Sequence, residues 1–281
     1  MSFAPLKDQP EEISLEAFLN PNYLGNSSIQ NICNVFSDQS SIELQQFLKP
    51  EIYQTLLEEL EALGAEEGAQ REQPLWDELM GPCHVRRYSR VSNQNQNRIP
   101  GTLARIQKLF LSKVFEAYLN KIANLSFISA APELRMFKKG DYTLLHDHAL
   151  EKNGLDVVFS FPALPSERDQ ETALSSKSTT TMAEWQEEWG AGATHYVADK
   201  TNLLALYPKH NTLTMVLRDE GTLRFIRYLS TRVGDARRRE LSVLYTVNED
   251  GDDEGEDEDQ SFGEEGNSEE SLEMEQKNFN E

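Results

Sequence analysis

Apolar residues in the first quarter of the chain recur at helical spacing. Ser14 is placed to cap a short helix that Asn20-Pro21 ends, and Ser27 or Ser28 to cap a second running through Val35 and Phe36. A third begins near Pro50, a favourable first-turn residue, and puts Ile52, Leu56, Leu57 and Leu60 on one face. Residues 65–100 are rich in Gly, Glu, Gln, Asn and Arg and lose periodicity except around Trp76 and Leu79, which predicts a loop or linker. The strongest helical pattern follows over 101–120, with Leu103, Ile106, Leu109 or Phe110, Val114 and Leu119 on the face expected to lie against a sheet.

After Leu125 the period changes. Eight short β-rich runs follow, FISAAPELRMF, YTLLH, LDVVFSF, THYVA, LLALYP, TLTMVLR, LRFIRYL and LSVLYTV, separated by Gly, Pro, Asn and Asp. Such spacing predicts an antiparallel sandwich or barrel, not a parallel sheet alternating with helices. The polar stretch Pro165–Trp189 interrupts the runs as an insertion, and no internal repeat is visible. The expected organisation is a flexible 1–12, a helical connector 13–64, the linker 65–100, a β domain 101–247 and a tail 248–281.

Charge changes the picture at the end of the chain. The net charge is −21, and the tail supplies −15 of it from sixteen acidic side chains against one lysine, leaving −6 for the rest. A segment this acidic and this poor in apolar residues cannot offset the entropy of ordering, so disorder is expected. The balance argues against nucleic acid, because phosphate binding needs clustered Lys and Arg; the run Arg237, Arg238, Arg239 is too short to reverse it. Cys33 and Cys83 form neither a disulfide framework nor a zinc spacing. With no apolar run of signal-peptide or membrane-span length, the expectation is a soluble intracellular protein with no membrane partner.

Candidate chemistry centres on FKKGDYTLLHDH. On a strand, residues two apart share a face, so His146 and His148 are placed to meet at one metal while Asp147 faces away. Two histidines and a carboxylate on one face hold non-haem iron(II) in oxygenases. His195 and His210 are the alternative third ligands, for a three-histidine site. Trp185 and Trp189 read as anchors that pack a loop on the barrel, with a partner hot spot as the second reading. Gly190 and Gly192 fit a tight turn better than a phosphate cradle. No serine or cysteine nucleophile motif is present, and the neighbours Cys83 and His84 fit no local signature.

The stretch GDYTLLHD, followed by LDVVFSF, EEWGAGATHYVA, LLALYPKHNTLTMVLRDEGTLRFIRYLS and RRRELSVLYTV, resembles the C-terminal domain of the ribosomal prolyl hydroxylase family, also described as termination and polyadenylation proteins. The earlier FLNPNYLGNSSIQNICNVFSDQSSIELQQFL resembles that family's connector, so the likeness covers about residues 12–247. It implies an α+β fold: a double-stranded β-helix, the cupin-like jelly roll, with N-terminal helices packed on it and a disordered acidic tail behind. Members similar to this chain carry two such domains. The first binds iron(II) and 2-oxoglutarate and hydroxylates a proline of a small-subunit ribosomal protein. The second lacks a working site and is linked to recognition and to oxygen-dependent regulation, in the cytoplasm and nucleus.

Residue by residue, His146 matches the proximal histidine, but the acidic position two residues on is His148. The distal histidine belongs on the strand Thr222–Leu229, where Leu223 and Arg224 stand instead, and a guanidinium cannot ligate a cation. Arg238 or Arg239 is the candidate for the arginine that pairs with the oxoacid carboxylate. His146 and His148 are thus candidate vestigial metal ligands, and Arg238 and Arg239 candidate vestigial 2-oxoglutarate contacts. The resemblance implies no catalytic residues and no bound cofactor in this chain. Its expected partners are proteins: a ribosomal substrate, a regulatory protein or a catalytic oxygenase domain. An active hydroxylase with an atypical metal site and a scaffold whose acidic tail holds a basic protein are the rival readings.

Overall fold

The computed structural model describes residues 4–5, 13–70, 74–145, 153–164, 184–186, 189 and 192–247, with backbone alone for 4–5 and 66–70. The helices are Leu15–Phe18 (α1), Asn26–Gln39 (α2), Pro50–Gln70 (α3), Gly101–Phe110 (α4) and Lys113–Ala123 (α5). The strands are Ala4–Pro5 (β1), Ser41–Gln45 (β2), Glu78–Met80 (β3), Arg86–Arg90 (β4), Phe127–Phe137 (β5), Tyr142–Thr143 (β6), Gly154–Ser160 (β7), Thr194–Ala198 (β8), Thr201–Leu206 (β9), Thr212–Arg218 (β10), Leu223–Ile226 (β11) and Arg238–Val247 (β12).

The major sheet runs β2-β10-β7-β12-β5-β4-β3, with β1 on β5 and β6 on β4; the minor sheet runs β11-β8-β9, and all pairings are antiparallel. From β5 onward the chain alternates between layers: β5, β7, β10 and β12 form the centre of the major sheet, while β8, β9 and β11 form the minor one. The Ile226 amide on β11 donates to Thr143 Oγ1 on β6 (2.7 Å), which draws β6 alongside the minor layer. This is the double-stranded β-helix, the jelly roll expected from the resemblance.

Strand alternation gives the major sheet two unlike faces. Leu134, Leu155, Val157, Phe159, Leu213, Met215, Leu241, Val243 and Tyr245 face the helices and join Leu56, Leu103, Ile106, Phe110 and Phe115 in one apolar core. The opposite face looks toward the minor sheet. A smaller apolar cluster there, including Tyr88, Phe137, Trp185, Ile226 and Leu229, closes one end of the space between the sheets.

Several local expectations need correction. The helix over 101–120 is two helices, broken at Leu111-Ser112. Ser112 Oγ donates to the Leu109 carbonyl (2.6 Å) and accepts the Phe115 amide (3.2 Å), ending α4 and capping α5 in one side chain. The break resets the register, so Phe115 is buried and Val114, expected inside, is 42% exposed. The stretch read as a loop or linker supplies the C-terminal turn of α3 and strands β3 and β4. Residues read as part of the helical connector form β2, which pairs with β10. The second helix is capped by Gly25 rather than Ser27 or Ser28. Most of the insertion and all of the acidic tail lie outside the described residues.

Candidate functional site

The space between the sheets is charged where a β-sandwich interior is ordinarily apolar. Facing strands place Thr212, Ser160, Glu240, Arg135 and Arg90 side by side in one cross-strand row, because each is the register partner of the next. Inward alternation adds Arg238 on β12, Asp156 on β7 and Arg218 on β10. The minor sheet brings Arg224, Thr194 and Tyr196 over them.

Glu240 is the hub. It is fully buried; Arg135 Nη2 lies 2.5 Å from its Oε1, while Arg238 Nε and Nη2 lie 2.7 and 2.6 Å from Oε2. Arg224 Nη2 stands 4.0 Å from Oε1, and Arg224 Nη1 lies 3.2 Å from Asp156 Oδ2. Asp156 is also 3.4 Å from Arg218 Nε and accepts a hydrogen bond from Tyr196 Oη (3.3 Å). Burial opposes ionisation of Glu240, yet Arg238, Arg135 and Arg224 together hold its carboxyl down to about 2. Burial, with Asp156 beside it, pushes the Tyr196 hydroxyl well above the usual phenol range.

The proposed oxoacid arginine can now be placed. Arg238 faces the interior and is 2% exposed, but its fork is already engaged: Nε and Nη2 with Glu240, Nη2 also with Thr194 Oγ1 (2.6 Å), and Nη1 donating to the Gly192 carbonyl. The cleft beside it, lined by Ser160, Thr194, Tyr196, Thr214 and Arg238 among others, measures about 10 Å³, room for one water. Arg239 does not belong to this interior. Alternation turns it to the helix side, toward Tyr53, where burial, partly offset by the Tyr53 hydroxyl, pulls its guanidinium down to about 10.

His146, Asp147 and His148 lie outside the described residues. The alternative ligands do not converge: His195 stacks on Phe225 (ring centroids 4.8 Å) and contacts Asn202 Oδ1 (3.2 Å), whereas His210 Nδ1 shares a hydrogen bond with Tyr53 Oη (2.7 Å). Among the described residues no group of three or more His, Cys, Asp and Glu side chains is placed to hold a metal. On the strand expected to carry the distal ligand, the inward residue is Arg224, 4% exposed, and Leu223 turns away. Within the described interior, a guanidinium stands on the strand expected to carry the distal ligand, and the candidate carboxylate-binding fork holds Glu240.

Sequence reasoning missed Arg135, Asp156, Arg218 and Glu240. Their signal was a charged residue two positions from another on a strand, as in Arg238 and Glu240 or Glu133 and Arg135, which without tertiary context reads as a solvent face. Trp185 was read correctly as packing: it is 6% exposed and meets Trp189 edge-on at 5.2 Å. Gly192, at φ +78°, passes so close that a Cβ would lie 2.7 Å from Trp185 Cζ2.

The family model described as oxoglutarate and iron-dependent oxygenase degradation C-term matches residues 11–254. The chain belongs to this family. Curated relatives of this oxygenase C-terminal domain include the prolyl 3-hydroxylase OGFOD1 of Xenopus laevis, 26% identical over 77% of this chain and 43% of that protein. The prolyl 3,4-dihydroxylase OGFOD1 of Ostreococcus tauri is 23% identical over 79% of this chain and 46% of its own length. This oxygenase C-terminal domain chain thus spans less than half the length of these relatives. Among solved structures, a prolyl hydroxylase from Trichoplax adhaerens, in complex with a hypoxia inducible factor oxygen degradation domain peptide, superposes with a TM-score of 0.47 at 9% identity, covering 77% of this chain and 88% of that one.

Proposed function

We propose that this chain is a non-catalytic oxygenase-like domain of a prolyl hydroxylase acting on a small-subunit ribosomal protein, and that it serves recognition of a protein substrate or partner and oxygen-linked regulation. The observation that supports this reading is the Glu240 hub. An oxygenase interior must keep an open cationic fork for the oxoacid and open metal positions for its reaction; here the interior side chains close on one another. A network of this kind maintains the jelly roll without a cofactor and leaves its outer surface for binding.

The curated relatives are named as prolyl hydroxylases, so a protein that presents prolines is the natural class of partner. Calorimetric titration of the chain with an intact small-subunit ribosomal protein substrate, with and without residues 248–281, tests this. The expected result is binding that survives tail removal. Binding that disappears with the tail and collapses with added salt would make the chain an acidic scaffold instead.

A further inference from the structure

Among the described residues the two sheets end on four strands, β2, β3, β11 and β9, and three of these are guarded. An end strand presents unpaired N–H and C=O groups along one side, a ready template for another chain, and proteins blunt such edges with charge, short length or cover. β2 carries Glu43, which Lys209 Nζ meets at 2.6 Å. β3 is three residues long and carries Glu78. β11 turns Arg224 inward and has β6 drawn alongside it. β9 has none of these devices: Thr201–Leu206 is six residues, TNLLAL, without a charge or a proline.

β9 is also open to solvent. Thr201, Asn202, Leu203 and Ala205 are exposed, and among the described residues the backbone hydrogen bonds of the strand go to β8 alone. The strand does contain a bulge: Leu204 opposes Tyr196 and Asn202 opposes Val197, which leaves Leu203 without a partner residue on β8. A bulge can protect an edge by twisting it and re-aiming a side chain. Here the side chain so placed is a leucine, 59% exposed. One exposed leucine is ordinary on a protein surface. Its position halfway along the unguarded edge is what points to a contact.

We propose that β9 pairs antiparallel with β9 of a second copy of this chain, joining the two three-stranded minor sheets into one six-stranded sheet. A two-fold axis makes the pairing of a strand with its own copy antiparallel, so the same edge supplies donors and acceptors on both sides. Leu203 and Leu204 stand at the midpoint of the strand, next to that axis, and each copy therefore covers the exposed leucine of the other. The Thr201 end of one copy lies beside the Leu206 end of the other, which keeps the two Lys200 side chains apart. Charge selects a copy as the occupant. Two chains of net charge −21 meet most readily where neither presents a charge, and β9 offers no counter-charge to a basic or an acidic partner. Six paired residues span roughly 20 Å and bury less than a standard interface of about 1,600 Å², so the association is weak and depends on concentration. This inference stands apart from the proposed function, since it concerns assembly of the chain with itself.

The test is sedimentation velocity of the full chain over a concentration series at physiological ionic strength, where the charge on the two chains is screened. It is joined to amide hydrogen exchange at the lowest and highest concentrations, on the native chain and on Leu203→Glu. The expected result is a mass that doubles and rises no further, because a two-fold contact closes on itself. Amides of residues 201–206 should exchange more slowly at high concentration, while those of β2 and β3 stay as they were. Leu203→Glu should leave the melting temperature unaltered, since that side chain reaches solvent, and should weaken association by roughly tenfold or more. Should that variant not fold, the exchange pattern of the native chain decides. A single mass throughout overturns the proposal, as do open-ended assemblies. So do a doubled mass without added protection in β9, and a Leu203→Glu chain that pairs as readily as the native one.

Discussion

Arg135 Nη2 lies 2.5 Å from Glu240 Oε1, with both side chains fully buried at neighbouring positions on β5 and β12. The pair occupies the middle of a jelly-roll interior that the oxygenase fold otherwise gives over to metal and oxoacid. Arg238 still holds Glu240 when Arg135 is removed, whereas removing the carboxylate leaves both guanidinium groups without their counter-charge. Glu240→Gln, which strands Arg135 and Arg238 together, should lower stability by about 3 to 5 kcal/mol in urea or guanidinium unfolding. Pairing Arg135→Met with Glu240→Leu should cost clearly less than the two single changes summed, because the double variant strands one charge fewer. Additive losses would mean that the pair contributes little.

Acid should act through the same carboxyl. The Glu240 pKa is held at about 2 in the folded chain against an ordinary 4.5, so the folded state binds this proton less readily than the unfolded one. The resulting stability is fully present above the unfolded pKa and is lost as pH falls from about 5 to about 2, on the order of 3 kcal/mol in all. The difference in unfolding free energy between the native chain and Glu240→Gln, measured at intervals from pH 6 to pH 2.5, should therefore shrink steadily below pH 5. A constant difference would contradict the ionised hub.

His210 should impose a second dependence at milder pH. Burial, reinforced by the Arg239 guanidinium, pulls its imidazole below the ordinary 6.5 while it bonds to Tyr53. The unfolded chain then takes up this proton more readily, so stability falls as pH drops through the unfolded value. His210→Gln should flatten the stability profile between pH 7.5 and 5.5, as followed by urea midpoints. An unchanged slope would remove His210 from the account.

Gly192 offers a test of packing at the barrel's closed end. Its positive φ and its contact with the Trp185 ring both disfavour a side chain. Gly192→Ala should cost about 1 to 3 kcal/mol and shift tryptophan emission to the red as Trp185 is displaced. Unaltered emission with unaltered stability would show that the loop gives way freely.

Much of the architecture was legible because period-2 runs bounded by turn residues survive in single strands. THYVA and TLTMVLR coincide with β8 and β10. The strands β3 and β4 were illegible because β3 is only three residues long and β4 is charged and polar: Arg86, Arg87, Ser89 and Arg90 read as a loop until β6 and β5 pair with them. The break at Ser112 was hidden by the apolar residues on both sides, whose spacing fits one helix nearly as well as two. At the site, the resemblance pointed to Arg238 or Arg239 and to Leu223 and Arg224 without choosing between neighbours; strand alternation in the structure turns Arg238 and Arg224 inward. Nothing pointed to the partners Arg135, Asp156 and Glu240, since a charge alternating with apolar residues has the same pattern whether water or a second sheet covers it. The minor sheet makes that choice, and it is a long-range feature.

The most direct measurement of the central claim is an anaerobic calorimetric titration of the chain with iron(II), then with 2-oxoglutarate, repeated on His146→Ala. A closed interior predicts no metal-dependent 2-oxoglutarate binding and no difference between the two proteins. Binding of 2-oxoglutarate that requires iron(II) and is lost in His146→Ala would contradict the account and make this jelly roll an oxygenase site.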